Sequence, residues 1–166
     1  MEFDSILVFA FGNRILDNGA LLPGPVNEEL ARATNDLQGN SGVPVFAQWE
    51  IADILIADGV DNVISVTPDE DADGNIVYLS TDGVARKAMR MAVAMGIDVG
   101  RAAVLGHRDH VERCRRTAIK AGIQVAAMPE EIMPSMYDPE SGQEWTRSRE
   151  VYLKVDAYAM RLLTES

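Results

Sequence analysis

The sequence predicts an α/β fold, a three-layer αβα sandwich built on a Rossmann-like, five-stranded parallel sheet of order 3-2-1-4-5. Two observations carry that expectation. Short apolar runs alternate with helix-patterned runs for most of the chain, which demands parallel pairing and right-handed crossovers. The 166 residues are 47% apolar and hold no internal repeat or linker, so residues 1–166 form one domain with a full core.

Taken in order, Ser5–Phe11 is the first strand and Val26–Leu37 the first helix. Val43–Ala47 is a second strand, followed by a helix over Trp49–Ala57 that closes at Asp58-Gly59. Asn62–Val66 is the third strand. After an acidic loop, Gly83–Met95 is a helix with Gly96 beyond its end. Arg101–Leu105 is strand four, His110–Ala121 its helix, Ile123–Ala127 strand five, and Arg147–Leu163 a closing helix. Residues 128–146 are long for a structureless connection, and Tyr137 and Trp145 are expected to pin them over the sheet edge as a cover.

Composition narrows the function. The formal net charge of −11 argues against nucleic-acid and anionic-membrane partners. No apolar stretch approaches the roughly 20 residues needed to cross a bilayer. The opening Met-Glu-Phe-Asp is acidic where a secretory leader is basic, and the lone Cys114 has no partner for an internal disulfide. A cytoplasmic protein with a small-molecule ligand is the expectation. Charge is also uneven. Residues 1–75 carry 14 acids against Arg14 and Arg32, whereas residues 86–120 carry nine bases against three acids.

The expected strand order places the switch point between strands one and four, where open α/β sheets bind ligands. Strand four runs into Gly106-His107-Arg108-Asp109-His110-Val111-Glu112-Arg113, which contains both histidines of the chain. Asp109 and Glu112 have capping-box spacing, which makes His110 the first helical residue with Arg113 on nearly the same face. A helix start disfavours a cationic histidine, so His110 is a candidate neutral acid or base and Arg113 a candidate anion clamp. His107 and Arg108 are candidate ligand contacts; the plain alternative is that the histidines only pin the turn.

Strand one ends in Gly12-Asn13, whose backbone and amide would form the opposite wall. With one glycine where three are needed, this is no dinucleotide fingerprint. Glu50, at the end of strand two, is a further candidate acid or base. Thr81 opens a helix as its hydroxyl cap and leaves free amides for a ligand. Asp69, Asp71, Asp73 and Asn75 copy the first half of a calcium-binding EF-hand loop, but position twelve is Ser80, so the closing carboxylate is missing.

These positions resemble the YdcF/SanA/ElyC-like family of bacterial α/β domains of unknown function. The likeness lies in Phe9-Ala-Phe-Gly12, Trp49-Glu50-Ile-Ala52, Tyr78-Leu-Ser-Thr81, His110-Val-Glu-Arg113 and, most specifically, Tyr137–Ser148. Ala47-Gln48-Trp49 stands where the family carries a glycine pair, and the anchor of the SanA and ElyC branches has no counterpart here. The soluble YdcF-like branch is therefore the nearer one. The resemblance implies a Rossmann-like fold, an active-site-like pocket and a nucleotide-like ligand, with S-adenosylmethionine proposed for the soluble branch. A transferase or hydrolase suits the side chains. The alternatives are a non-catalytic sensor of a nucleotide or S-adenosylmethionine, and a calcium-responsive interaction module.

Overall fold

The computed structural model describes residues 2–165. Its elements in chain order are β1 (Ser5–Val8), β2 (Arg14–Ile15), β3 (Leu21–Leu22), α1 (Pro25–Gln38), β4 (Val45–Gln48), α2 (Trp49–Ala57), β5 (Val63–Val66), β6 (Asp69–Glu70), β7 (Ile76–Val77), α3 (Thr81–Met95), β8 (Arg101–Leu105), α4 (Val111–Lys120), β9 (Gln124–Ala126) and α5 (Arg149–Glu165), with 3-10 turns at Glu130–Ile132 and Glu144–Thr146. Five strands form one parallel sheet in the order β5-β4-β1-β8-β9. Counted among the sheet strands alone, this is the expected 3-2-1-4-5. The detail that differs is two antiparallel hairpins, β2–β3 and β6–β7, which fold the loops after Gly12 and around Asp71 into short strands.

Central strands are apolar because both faces are covered. All of β1 is buried, as is β8 from Ala102 to Leu105. Helix α1 packs beside α2 and α3 beside α4, and the right-handed crossovers put the two pairs on opposite faces. Pro25 starts α1 at a position that needs no N–H donor. The buried side chains of α1 at Val26, Asn27, Leu30, Ala31 and Thr34 recur at helical spacing against the sheet. No helix among the described residues is long and apolar enough to cross a membrane.

Beyond β1 the backbone leaves the ladder while still buried and needs new partners. Asn27 supplies them. Its Oδ1 accepts from the Phe11 N–H at 2.8 Å, and its Nδ2 donates to the Gly12 and Pro23 carbonyls at 2.9 and 2.7 Å.

The connection between β9 and α5 lies across this rim. Tyr137 donates to Asp109 at 2.8 Å, and Arg14 grips Asp138 through two bonds at 2.9 and 3.0 Å. The Gly142 N–H donates to the Asn13 carbonyl at 2.8 Å. The expected cover exists and Tyr137 helps to pin it, whereas Trp145 is exposed and the rest of the anchoring is a polar network. Glycine is required on both sides of that contact. Gly12 has φ +73°, and a Cβ there would lie 2.7 Å from Ser141 Oγ and 2.8 Å from Thr146 Oγ1. A Cβ on Gly142 would meet Ile15 at 2.6 Å.

Gly12→Ala therefore combines left-handed strain with overpacking. Its expected cost is about 2–4 kcal/mol, read as a lower urea midpoint with an unchanged slope.

Candidate functional site

At the carboxyl rim, the ends of β1 and β4, the start of α3, the start of α4 and the face of α5 surround a cavity of ≈ 250 Å³. Gly12, Gln48, Thr81, His110, Arg113 and Tyr152 are among its walls. Two surface grooves are larger, at ≈ 490 and ≈ 500 Å³. The first lies between α1 and the 131–134 segment, away from the histidine turn. The second runs between α3, α4 and α5, and shares Ser80, Thr81, Arg113 and Ala159 with the cavity, so the two adjoin.

His110 is 6% exposed. Its Nδ1 lies 2.6 Å from the Tyr152 hydroxyl, while Nε2 has no hydrogen-bond partner among the described residues and is not occluded. Burial pushes the imidazole well below its ordinary pKa, and the Arg113 and His107 charges act in the same direction. The ring is neutral at physiological pH. It occupies the N-cap position of α4, and the helix begins at Val111. The expected capping box does not form, because the Asp109 carboxylate is drawn to Tyr137 and to Arg149 at 2.9 and 3.2 Å. Glu112 pairs instead with Arg116.

Arg113 reaches the cavity but is already engaged. Nε donates to Asp156 at 2.7 Å, Nη1 to the Thr81 hydroxyl at 3.1 Å and Nη2 to the Tyr152 hydroxyl at 3.2 Å. Burial works against its charge, yet Tyr152 and Asp156 hold its pKa above the ordinary value. The helix-opening hydroxyl is one residue earlier than expected. Ser80 is the N-cap of α3 and accepts from the Gly83 N–H at 3.1 Å, which leaves Thr81 as the first helical residue, on the cavity wall.

The other expected residues separate from this group. His107 is fully buried, stacks on Phe11 at 4.1 Å, accepts at Nδ1 from the Asp109 N–H and meets the Met136 carbonyl through Nε2. Both nitrogens are spent, so it pins the turn. Arg108 donates to the Met133 carbonyl at 3.3 Å and does not line the cavity. Asn13 and Glu50 are 4% and 2% exposed, and neither lines the cavity. One side-chain oxygen of each, Asn13 Oδ1 and Glu50 Oε2, is buried without a partner. Desolvation raises the Glu50 carboxyl to about 7, with Asp53 adding to it and the residue's own amide and Asn13 opposing.

The acidic loop closes the β6–β7 hairpin. Asp71 turns its carboxylate inward to the Asp73 and Asn75 N–H groups and the Asn75 amide, while Asp69 pairs with Lys87 at 2.8 Å. No group of three or more acids, histidines or cysteines among the described residues is placed to hold a metal.

Tyr152, Asp156, Gln48 and Asn27 were missed from sequence. A tyrosine inside the closing helix has no motif to announce it, and Asn27 sits in α1 like any polar helix residue. No family model, curated protein or solved structure matches the chain.

The raised Glu50 pKa fixes the sign of a linkage. The folded state holds a proton that the unfolded chain releases near 4.5, so this group costs stability as pH rises from about 4.5 through 7. Glu50→Gln keeps the shape without the charge. It is expected to stabilise by up to about 3 kcal/mol at pH 8 and by almost nothing at pH 4, measured by urea denaturation at both values.

Proposed function

We propose that this chain is a small-molecule enzyme, a transferase or hydrolase of the soluble YdcF-like kind, which takes an anionic, nucleotide-like ligand at the carboxyl rim. His110 is its acid–base residue, Arg113 and Thr81 hold the anionic group, and Gly12 closes the opposite wall. One observation supports this reading above the rest: a buried neutral imidazole, oriented through one nitrogen, with its other nitrogen open to a cavity where distant loops meet. That is the arrangement acid–base chemistry needs, a titratable group held by a partner behind it.

Volume bears on the ligand. At ≈ 250 Å³ the cavity falls below the roughly 300–1,000 Å³ of sites that enclose drug-sized molecules. It takes a reacting group rather than a whole nucleotide or S-adenosylmethionine. The remainder of such a ligand has room in the adjoining ≈ 500 Å³ groove, over Ala159 and Leu162. Covalent catalysis through the one cysteine is disfavoured. Cys114 is buried, and burial pushes its thiol far up from the ordinary value.

Metabolites extracted from the purified natural chain identify the ligand class, and p-nitrophenyl phosphate, adenosine monophosphate and S-adenosylmethionine serve as direct probes. For an enzyme, His110→Gln keeps probe binding within about threefold and loses about 10²–10⁴ in turnover. A natural chain that binds a probe, and turns over none of them, is a sensor. In the enzyme the acidic limb of kcat/KM against pH falls below 6.5. Arg113, His107 and Tyr152 face the ring, with Asp156 behind Tyr152, and protonation at Nδ1 removes activity by breaking the Tyr152 contact that orients the imidazole.

A further inference from the structure

A neutral imidazole has one ring hydrogen, and its position decides whether His110 meets a ligand as a donor or as a lone pair. Tyr152 decides it. The phenol hydroxyl has three neighbours: His110 Nδ1 at 2.6 Å, Arg113 Nη2 at 3.2 Å and Asp156 Oδ1 at 3.2 Å. Arg113 only donates, so it occupies a lone pair of the oxygen.

The hydroxyl hydrogen then points either to the imidazole or to the carboxylate. A hydroxyl donating to a carboxylate sits at about 2.5–2.7 Å, well inside the Asp156 separation. An N–H donor to oxygen sits at about 2.9–3.0 Å, well outside the His110 separation. Both lengths favour Tyr152 O–H donating to Nδ1. Asp156 is compensated by Arg113 Nε at 2.7 Å and does not need that hydrogen. Nδ1 is therefore an acceptor, and the ring hydrogen is on Nε2, the nitrogen open to the cavity.

Gln48 presents a second donor. Its Oε1 accepts from the Ala10 N–H at 2.9 Å, which orients the amide and leaves Nε2 without a partner among the described residues, on a residue of the cavity wall. The first turn of α3 starts at Thr81 on the same wall, and its amide dipoles add positive potential there.

We propose that Tyr152 is a positioning residue that locks His110 as the Nε2–H tautomer, and that the cavity is an oxyanion site in which His110 and Gln48 donate hydrogen bonds to a phosphate or carboxylate group. This rests on the ligand-site reading above and gives the site its chemical class. His110 acts first as a neutral electrophile, and no net proton transfer is needed for recognition.

The test is long-range proton–nitrogen NMR on the natural chain with ¹⁵N-labelled histidine, titrated with inorganic phosphate. His110 is expected as a neutral Nε2–H ring at pH 7, and phosphate is expected to shift its Nε2 resonance. His107, whose nitrogens are both engaged, is the internal control and stays still. In Tyr152→Phe, His110 becomes a mixture of tautomers while His107 is unchanged. Gln48→Glu retains the tautomer and weakens phosphate binding about tenfold or more. A protonated Nδ1 on His110 in the natural chain overturns the tautomer assignment, even if Tyr152→Phe does not fold. An Nε2 resonance indifferent to millimolar phosphate overturns the oxyanion site. Absence of turnover defeats the enzymatic reading alone, because neither resonance depends on it.

Discussion

Helix α5 buries one side chain, Tyr152, against the body of the protein, and the hydroxyl of that side chain ends on His110. The rest of the rim depends on this contact. A phenol and an imidazole taken out of water must satisfy each other, and an unpaired one would cost about 1–3 kcal/mol. The same hydroxyl accepts from Arg113, whose other nitrogens bind Asp156 on α5 and Thr81 on α3. Helices α4 and α5 thus meet at one oxygen, and Arg113 carries the network on to α3. The cavity has its shape because α5 is held at this distance and no closer.

The turn after β1 shows the same economy in backbone form. A strand leaving a parallel sheet under cover has to find partners for its next amide groups, and Asn27 provides three bonds from a single side chain. With that turn fixed, Gly12 and Gly142 let two segments approach to a distance no side chain would allow. The 137–147 cover is consequently a part of the wall, anchored by Arg14–Asp138 and by the Asn13 backbone. The buried, unpartnered oxygens of Asn13 and Glu50 lie beside this anchor, and they are where the structure pays in stability for its packing.

Residues of similar sequence promise therefore part company in space. His107 and His110 are three positions apart, yet one faces a carbonyl and an amide while the other opens on the cavity. Arg108 and Arg113 flank the same turn, but Arg108 follows the 133–134 segment outward and Arg113 turns to α5. A one-residue difference in where α4 begins is enough. With His110 at the N-cap, Asp109 is released to bind Tyr137 and Arg149.

The sequence by itself determined the layers, the strand order and the meeting of the Gly12 and His110 turns. Those follow from apolar periodicity and from crossover handedness, both of which are local or nearly so. It also placed His110, Arg113, Thr81 and Gly12 at one cavity, since each stands next to a strand end or helix start whose position the topology dictates. Only the tertiary structure decided that Glu50 and Asn13 lie outside that cavity, that His107 is a pin, and that Tyr152, Asp156 and Gln48 belong to the site. The loop carboxylates at Asp69 and Asp71 were likewise settled by Lys87 and by the hairpin's own amides. Such choices are made by hydrogen bonds between groups 42 and 43 residues apart in the chain, as for Tyr152 with His110 and Asp156 with Arg113, which no spacing rule encodes.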